Sequence, residues 1–262
     1  MTKIVSIHSF RGGTGKSNIT ANLAAQIAMQ HKKVGIVDTD FASPGIHVLF
    51  GLNAENMTHC TNEFLRGKIS ISEAAFNIGE HPSPQNGCKR LTGKDIWLLP
   101  ASISRDDIQD ILQFGYDVNE LNRGLTEFRK EKALDYLFID THPGIQEETL
   151  LALAISDILL LIARPDQQDM QGTSVVADIA KDLDVPDIFL VVNKLSPKFD
   201  QDDARKDIIT DLEKQFEIPV CNIFLLTHEL VELGSADLFS LLDEEHRFSK
   251  EIKKLSQIIL NT

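Results

Sequence analysis

Three cysteines are all that the 262 residues contain, and Cys60, Cys88 and Cys221 lie too far apart for a disulfide framework or a zinc site. They read as buried or idle thiols of a reducing compartment, so the cytoplasm is the expected location. No apolar run reaches the length of about 18 residues that spans a bilayer. The N-terminus enters a strand pattern at once, so neither secretion nor membrane spanning is expected. Basic residues are in deficit too: 26 Lys and Arg against 39 Asp and Glu leave a formal net charge of −13. A chain of that balance is no natural polyanion binder, and contact with nucleic acid would need a local basic patch. Internal repeats and low-complexity linkers are absent as well. What remains, 42% hydrophobic and 25% charged residues, is the make-up of a globular chain long enough to bury a sizeable core.

Apolar runs of strand length alternate with longer stretches of helical period. The runs are Lys3 to Phe10, Val34 to Asp40, Ile96 to Ala101, Tyr136 to Thr141, Ile158 to Ala163, Ile188 to Asn193 and Cys221 to Leu226. Helical patterns extend from Ser17 to about His31 and around residues 105–114, 117–132, 147–155, 169–183 and 201–216. Several strands are apolar throughout, as in a parallel sheet covered on both faces. The alternation predicts an α/β fold, a doubly wound and mostly parallel sheet with helices on both faces. Right-handed crossovers then align the strand C-terminal ends, and any ligand site, along one edge. A single domain over residues 1–262 is expected, with a helical insert and loop at 60–95. Within that insert, Gly79–Gly93 is rich in Pro, Gly and polar residues and reads as an excursion loop, the alternative being a partner-binding loop.

The strongest signal is Arg11-Gly12-Gly13-Thr14-Gly15-Lys16-Ser17, set between a strand and a helix. Glycines let the backbone curl so that successive N–H groups face phosphate oxygens, and the following helix adds its positive N-terminal end. Lys16 supplies a point charge to the β- and γ-phosphates, and the Ser17 hydroxyl suits Mg²⁺. Asn18 follows as a further nucleotide-binding candidate. Phe10 occupies the position of the first glycine of the standard P-loop.

With that loop the sequence resembles the deviant Walker A family that includes MinD and ParA, along nearly its whole length. The family's loop reads K-G-G-x-G-K-[ST], and Arg11 stands where its signature lysine would be. The resemblance implies a P-loop ATPase fold, ATP and Mg²⁺ as cofactors, and a homodimer that sandwiches two nucleotides. In such a dimer the signature residue reaches the partner's phosphates. Arg11 keeps the charge and adds a bidentate fork. A spatial switch is implied, with an activator or cargo protein and a membrane or nucleoid surface as candidate partners.

Asp38 and Asp40 close the second strand, and at i and i+2 both side chains share a face if the strand stays regular. The resemblance gives Asp38 to the metal's water shell and Asp40 to the attacking water. Asp140 ends the apolar run YLFID as a Walker B aspartate, contacting Mg²⁺ through water. His142 is either a γ-phosphate sensor or a solvated loop residue, and Gly144 offers a backbone N–H to the γ-phosphate. The resemblance also implies adenine recognition by the Asn193 side-chain amide, next to Lys194. Arg164 either lines the nucleotide pocket or dimer seam, or belongs to an ordinary strand–helix connection. The guanine signature N-K-x-D is absent, since Asn193-Lys194-Leu195 continues with Ser196, so ATP is favoured over GTP.

Residues 243–262 carry an amphipathic pattern, with Phe248, Ile252, Leu255 and Ile259 on one stripe. This predicts either a last helix covering the sheet or a lipid-binding tail. Two basic groups are candidates for nucleoid contact: Lys89-Arg90 with Lys94, and Arg123 with Arg129, Lys130 and Lys132. Rival readings are a regulatory module that holds ATP without useful turnover and a metabolic ATPase on the same core. A nitrogenase-iron-protein-like member needs cluster cysteines near the dimer seam, at positions that Cys60, Cys88 and Cys221 do not occupy.

Overall fold

The computed structural model describes residues 1–81 and 83–262. Among the described residues, β1 Lys3–His8, β2 Val34–Asp38, β3 Phe76–Asn77, β4 Ile96–Leu99, β5 Tyr136–Asp140, β6 Ile158–Ala163, β7 Asp187–Leu195 and β8 Val220–Leu225 form one sheet. Its order is β3-β4-β2-β5-β1-β6-β7-β8. Every pairing is parallel except the short edge strand β3, which runs antiparallel to β4. The sheet is thus doubly wound and mostly parallel, as the alternating pattern predicts.

Helices α1 Lys16–Met29, α2 Ile46–Leu49, α3 Thr61–Leu65 and α4 Asn86–Lys89 precede β4. Then come α5 Arg105–Phe114 and α6 Val118–Glu131 before β5, α7 Glu147–Ala154 before β6, α8 Gln167–Asp182 before β7 and α9 Asp202–Phe216 before β8. After β8 follow α10 His228–Leu233, α11 Phe239–Leu242 and α12 Arg247–Asn261. The Gly79–Gly93 stretch contains α4, and its Pro82 lies outside the described residues.

The continuous apolar runs have a simple cause: neighbouring residues of one strand feed different cores. Along β6, Leu160 and Ile162 join the core under α1 and α12, whereas Leu159, Leu161 and Ala163 join the one under α8 and α9. Helix α1 is buried almost all round, with Ala21, Leu23, Ala24, Ala25, Ile27 and Ala28 all fully buried, as expected of an interior helix.

The amphipathic C-terminal stripe is the cover of this face. Phe248, Ile252, Leu255 and Ile259 are buried in the same core as α1, stabilising the fold by about 1.5–3 kcal/mol each. Asn222 Nδ2 also donates to Glu251 O at 2.8 Å, tying β8 to α12. Of the two readings of this pattern, the helix adopts packing. No helix among the described residues is long and apolar enough to cross a membrane.

Several strands stop one or two residues short of the lengths read from the sequence, and two of these ends shape the site. β1 ends at His8, where the glycine-rich turn takes over, and β2 ends at Asp38. The Asp38 carboxylate accepts from the N–H of Asp40 at 3.0 Å and so turns the chain out of the sheet. Asp40 therefore sits on a turn rather than on a regular strand.

Candidate nucleotide site

The parallel sheet gathers the C-terminal ends of β1, β2 and β5 on one edge, with β1 central between β5 and β6. From β1 the chain passes through Phe10–Gly15 into α1. Gly13 and Gly15 hold φ angles of 74° and 92°, in the left-handed region where a side chain is strained. Gly15 is needed twice over, because a Cβ there would also stand 2.5 Å from Asn193 Nδ2. The loop is stapled from the far side by residues at the C-terminal end of β7: Asn193 Nδ2 donates to Thr14 O at 2.7 Å and Lys194 Nζ to Gly13 O at 2.8 Å. Asn193 Oδ1 accepts from the N–H of Lys194 at 2.9 Å, so both polar ends of the Asn193 side chain are occupied within the protein.

Lys16 is buried at the first turn of α1, its Nζ 3.3 Å from Asp140 Oδ1. Thr20 Oγ1, which donates to Lys16 O, stands 3.4 Å from the same carboxylate oxygen. Asp140 is also the register partner of Asp38 across the β2–β5 pairing, so two buried carboxyl groups lie side by side. Burial and the neighbouring Asp140 charge hold the Asp38 carboxyl well above the ordinary carboxylate range. Asp38 Oδ2 accepts from Gly45 N at 3.2 Å, while Asp140 Oδ2 is buried with no hydrogen-bond partner among the described residues. Two carboxyl groups, one with a bare oxygen, stand against the first turns of α1, the helix that carries Ser17, and offer the oxygen donors that suit a hard divalent cation such as Mg²⁺.

A family model described as an AAA domain matches residues 2–185, a span that contains the loop and all of these carboxylates. The chain belongs to the MinD/ParA family of P-loop ATPases. The flagellum site-determining protein YlxH of Helicobacter pylori is 28% identical over 257 residues, covering 97% of this chain and 76% of that protein. An iron–sulfur cluster carrier protein of Methanocaldococcus jannaschii is 31% identical over 199 residues, covering 74% of this chain and 61% of the carrier. The solved structure of MinD from Pyrococcus horikoshii complexed with Mg-ADP superposes with a TM-score of 0.78 at 18% identity, covering 99% of this chain and 96% of that one.

The remaining candidates of this MinD/ParA chain are placed as follows. Gly12 approaches Pro143 of the segment after β5, and Gly144 donates its N–H to Ser9 O at 3.2 Å. Arg11 is exposed and directed away from its own loop, with Nη1 donating to Gln168 Oε1 of α8 at 2.7 Å. Arg164 is bound to the start of α8, Nη2 lying 3.1 Å from Asp166 and its N–H donating to the buried Asp169 at 2.7 Å. Asn18 donates to Ser235 at 2.8 Å and, with Ile19, Leu226, Leu230 and Val231, lines a cavity of about 310 Å³ beside Gly13 and Gly15.

Three contacts at this MinD/ParA site have no counterpart in the sequence motifs. Thr20 joins the Lys16–Asp140 pair one turn into α1. His8 is fully buried, and burial first and Lys16 second lower its pKa to about 3. Its Nδ1 meets Thr141 Oγ1 at 2.7 Å; because that hydroxyl spends its hydrogen on Ile7 O at 3.0 Å, the neutral ring donates from Nδ1. Finally, the Phe10 ring leaves the loop and packs on α8 at Gly172.

The basic groups are partly engaged in internal contacts. Arg90 donates to Leu241 O at 2.7 Å and pairs with Glu244, Arg123 pairs with Glu120 and Glu127, and Lys132 lies 4.4 Å from the centre of the Trp97 ring.

Proposed function

We propose that this protein binds ATP, dimerises around it and hydrolyses it to ADP and phosphate, acting as a positioning switch that releases a surface, cargo or activator on turnover. The observation that carries this reading is the Lys16–Asp140 pair beneath the glycine loop, with Asp38 in register beside it and Asp140 Oδ2 unpartnered.

In this account the loop N–H groups and the N-terminus of α1 receive the phosphates. Lys16 exchanges the Asp140 carboxylate for the β- and γ-phosphate oxygens. Ser17, Asp38 and Asp140 hold Mg²⁺, directly or through water; when bound, it neutralises charge on the phosphate chain. Adenine occupies the cavity at Asn18, Ile19, Leu230 and Val231, and Asn193 serves it indirectly by fixing the loop. Asp40 orients the attacking water, and Arg11 serves the partner's phosphates. The Mg-ADP complex of the Pyrococcus MinD supports the cofactor assignment.

The cysteines give the likeness to an iron–sulfur carrier no support as a cargo assignment. Burial pushes the Cys88 and Cys221 thiols up to about 12 and also raises Cys60, which suits packed thiols rather than thiolate ligands. Phosphate release and nucleotide binding, measured on the parent and on Lys16→Ala, test the function. The parent should turn over and the variant should lose both. Nucleotide affinity of the variant within about twofold of the parent would remove Lys16 from the site and the reading with it.

A further inference from the structure

Among the described residues, Asp40 has one oxygen committed and one without a hydrogen-bond partner. Its Oδ1 accepts from His142 Nδ1 at 2.7 Å and from the N–H of Ser43 at 3.0 Å, and these two donors fill the lone pairs of that atom. The backbone N–H of Asp40 is fixed as well, on Asp38 Oδ1 at 3.0 Å. Any work done by this carboxylate therefore falls to Oδ2. A carboxylate accepts only, so His142 Nδ1 carries the hydrogen whatever the charge on the ring. The side chains are 26% and 14% exposed for His142 and Asp40, so the bond is largely out of water, where a charge-assisted hydrogen bond is strong.

The bond joins two separate segments, the turn after β2 and the segment after β5. The latter is itself held to the phosphate loop by the Gly144-to-Ser9 hydrogen bond at 3.2 Å. Without His142, the Ser43 N–H would be the remaining donor to Oδ1, and the carboxylate would be free to turn about its terminal torsion. We propose that His142 is the positioning residue of the hydrolytic step: it fixes the Asp40 carboxylate so that Oδ2 faces the attacking water. It also makes hydrolysis depend on where the segment after β5 lies, because a shift of that segment carries His142 away from Asp40. This inference rests on the reading of Asp40 as the water-orienting carboxylate.

The test compares the parent with Asp40→Asn, His142→Ala, His142→Asn and the double variant Asp40→Asn/His142→Ala, each in the full-length chain with Mg-ATP. Asn at 142 can place an amide N–H where Nδ1 stands. His142→Ala should lower turnover by about 10- to 100-fold, the effect of losing one charged hydrogen bond, while the ATP dissociation constant stays within about twofold. His142→Asn should recover most of that loss, and the double variant should be no slower than Asp40→Asn alone. Parent-like turnover in His142→Ala, no recovery with Asn, or additive losses in the double variant would overturn the proposal while leaving the role of Asp40 intact. Parent-like turnover in Asp40→Asn would overturn that role and the proposal together.

Discussion

The Phe10 ring packs so closely on Gly172 that a Cβ at that glycine would fall 1.9 Å from its Cδ1 atom. Phe10 is the residue that replaces the first glycine of the phosphate loop, and Gly172 lies in α8, four residues beyond the Gln168 that receives Arg11. Both departures from the family loop therefore rest on one helix. Gly172→Ala should destabilise the protein by about 1–3 kcal/mol, the usual cost of overpacking, and should weaken nucleotide binding because the loop must give way. Adding Phe10→Ala removes the clash, so the double variant should be more stable than Gly172→Ala alone. Urea denaturation and nucleotide titration of the parent, Gly172→Ala, Phe10→Ala and the double variant check this, and additive destabilisation would show that the contact is not tight.

His8 makes stability pH-dependent. Its folded pKa of about 3 lies below the unfolded value of 6.5, so below pH 6.5 the unfolded chain binds a proton that the folded chain refuses. Its contribution is unchanged above that pH and is lost progressively as the pH falls towards 3. From pH 6.5 to 5 the loss from this residue is about 2 kcal/mol. His8→Asn keeps a donor for Thr141 and cannot titrate, so its stability should fall less than the parent's over that interval in urea melts. Equal pH slopes would show that His8 is accessible to protons.

Helix α12 is held by burial, and Ile252 at its centre is fully buried. Ile252→Asp should cost at least about 3 kcal/mol, combining lost burial with an unpaired buried carboxylate. Lys250→Ala, on the exposed side of the same helix, should lie within about 0.5 kcal/mol of the parent. Thermal melts of both variants distinguish a packed helix from a detachable one, for which both changes would be mild.

Much of this architecture was legible in the sequence because parallel strands buried on both faces leave unbroken apolar runs, as in Ile158–Ala163. The loop and its carboxylates were legible because glycines, Lys16 and strand-ending acids at 38 and 140 have few other uses in that order. Other features had no linear signal. The direction of the Asn193 amide is set by the approach of β7 to the loop, and Phe10 meets Gly172 only once α8 has folded back. The C-terminal stripe has the same spacing whether it covers a sheet or a lipid surface, so only the observed packing of Ile252 and Leu255 decides between them. The short α10 and α11 lacked enough length for a periodicity to register.

Arg11 is exposed, and among the described residues its guanidinium donates to Gln168 on α8, a surface contact it can leave for a second protomer's phosphates. Arg11→Ala should leave monomer ATP affinity nearly unchanged and weaken the ATP-bound dimer by about 1.5–3 kcal/mol, the range for a charged hydrogen bond. Arg11→Lys should restore association in part, since an ammonium retains the charge but not the bidentate fork. Association constants of the three forms with ATP give the answer, and three equal values would place the trans contact on another cation.

The central claim, that ATP drives this chain into a dimer, is tested most directly by sedimentation velocity of Asp40→Ala with Mg-ATP and with Mg-ADP. Removing the carboxylate assigned to the attacking water should leave binding intact and stop turnover, so the ATP form persists during the run. The account predicts a dimer with Mg-ATP and a monomer with Mg-ADP. A variant that binds both nucleotides and sediments identically with each would contradict it.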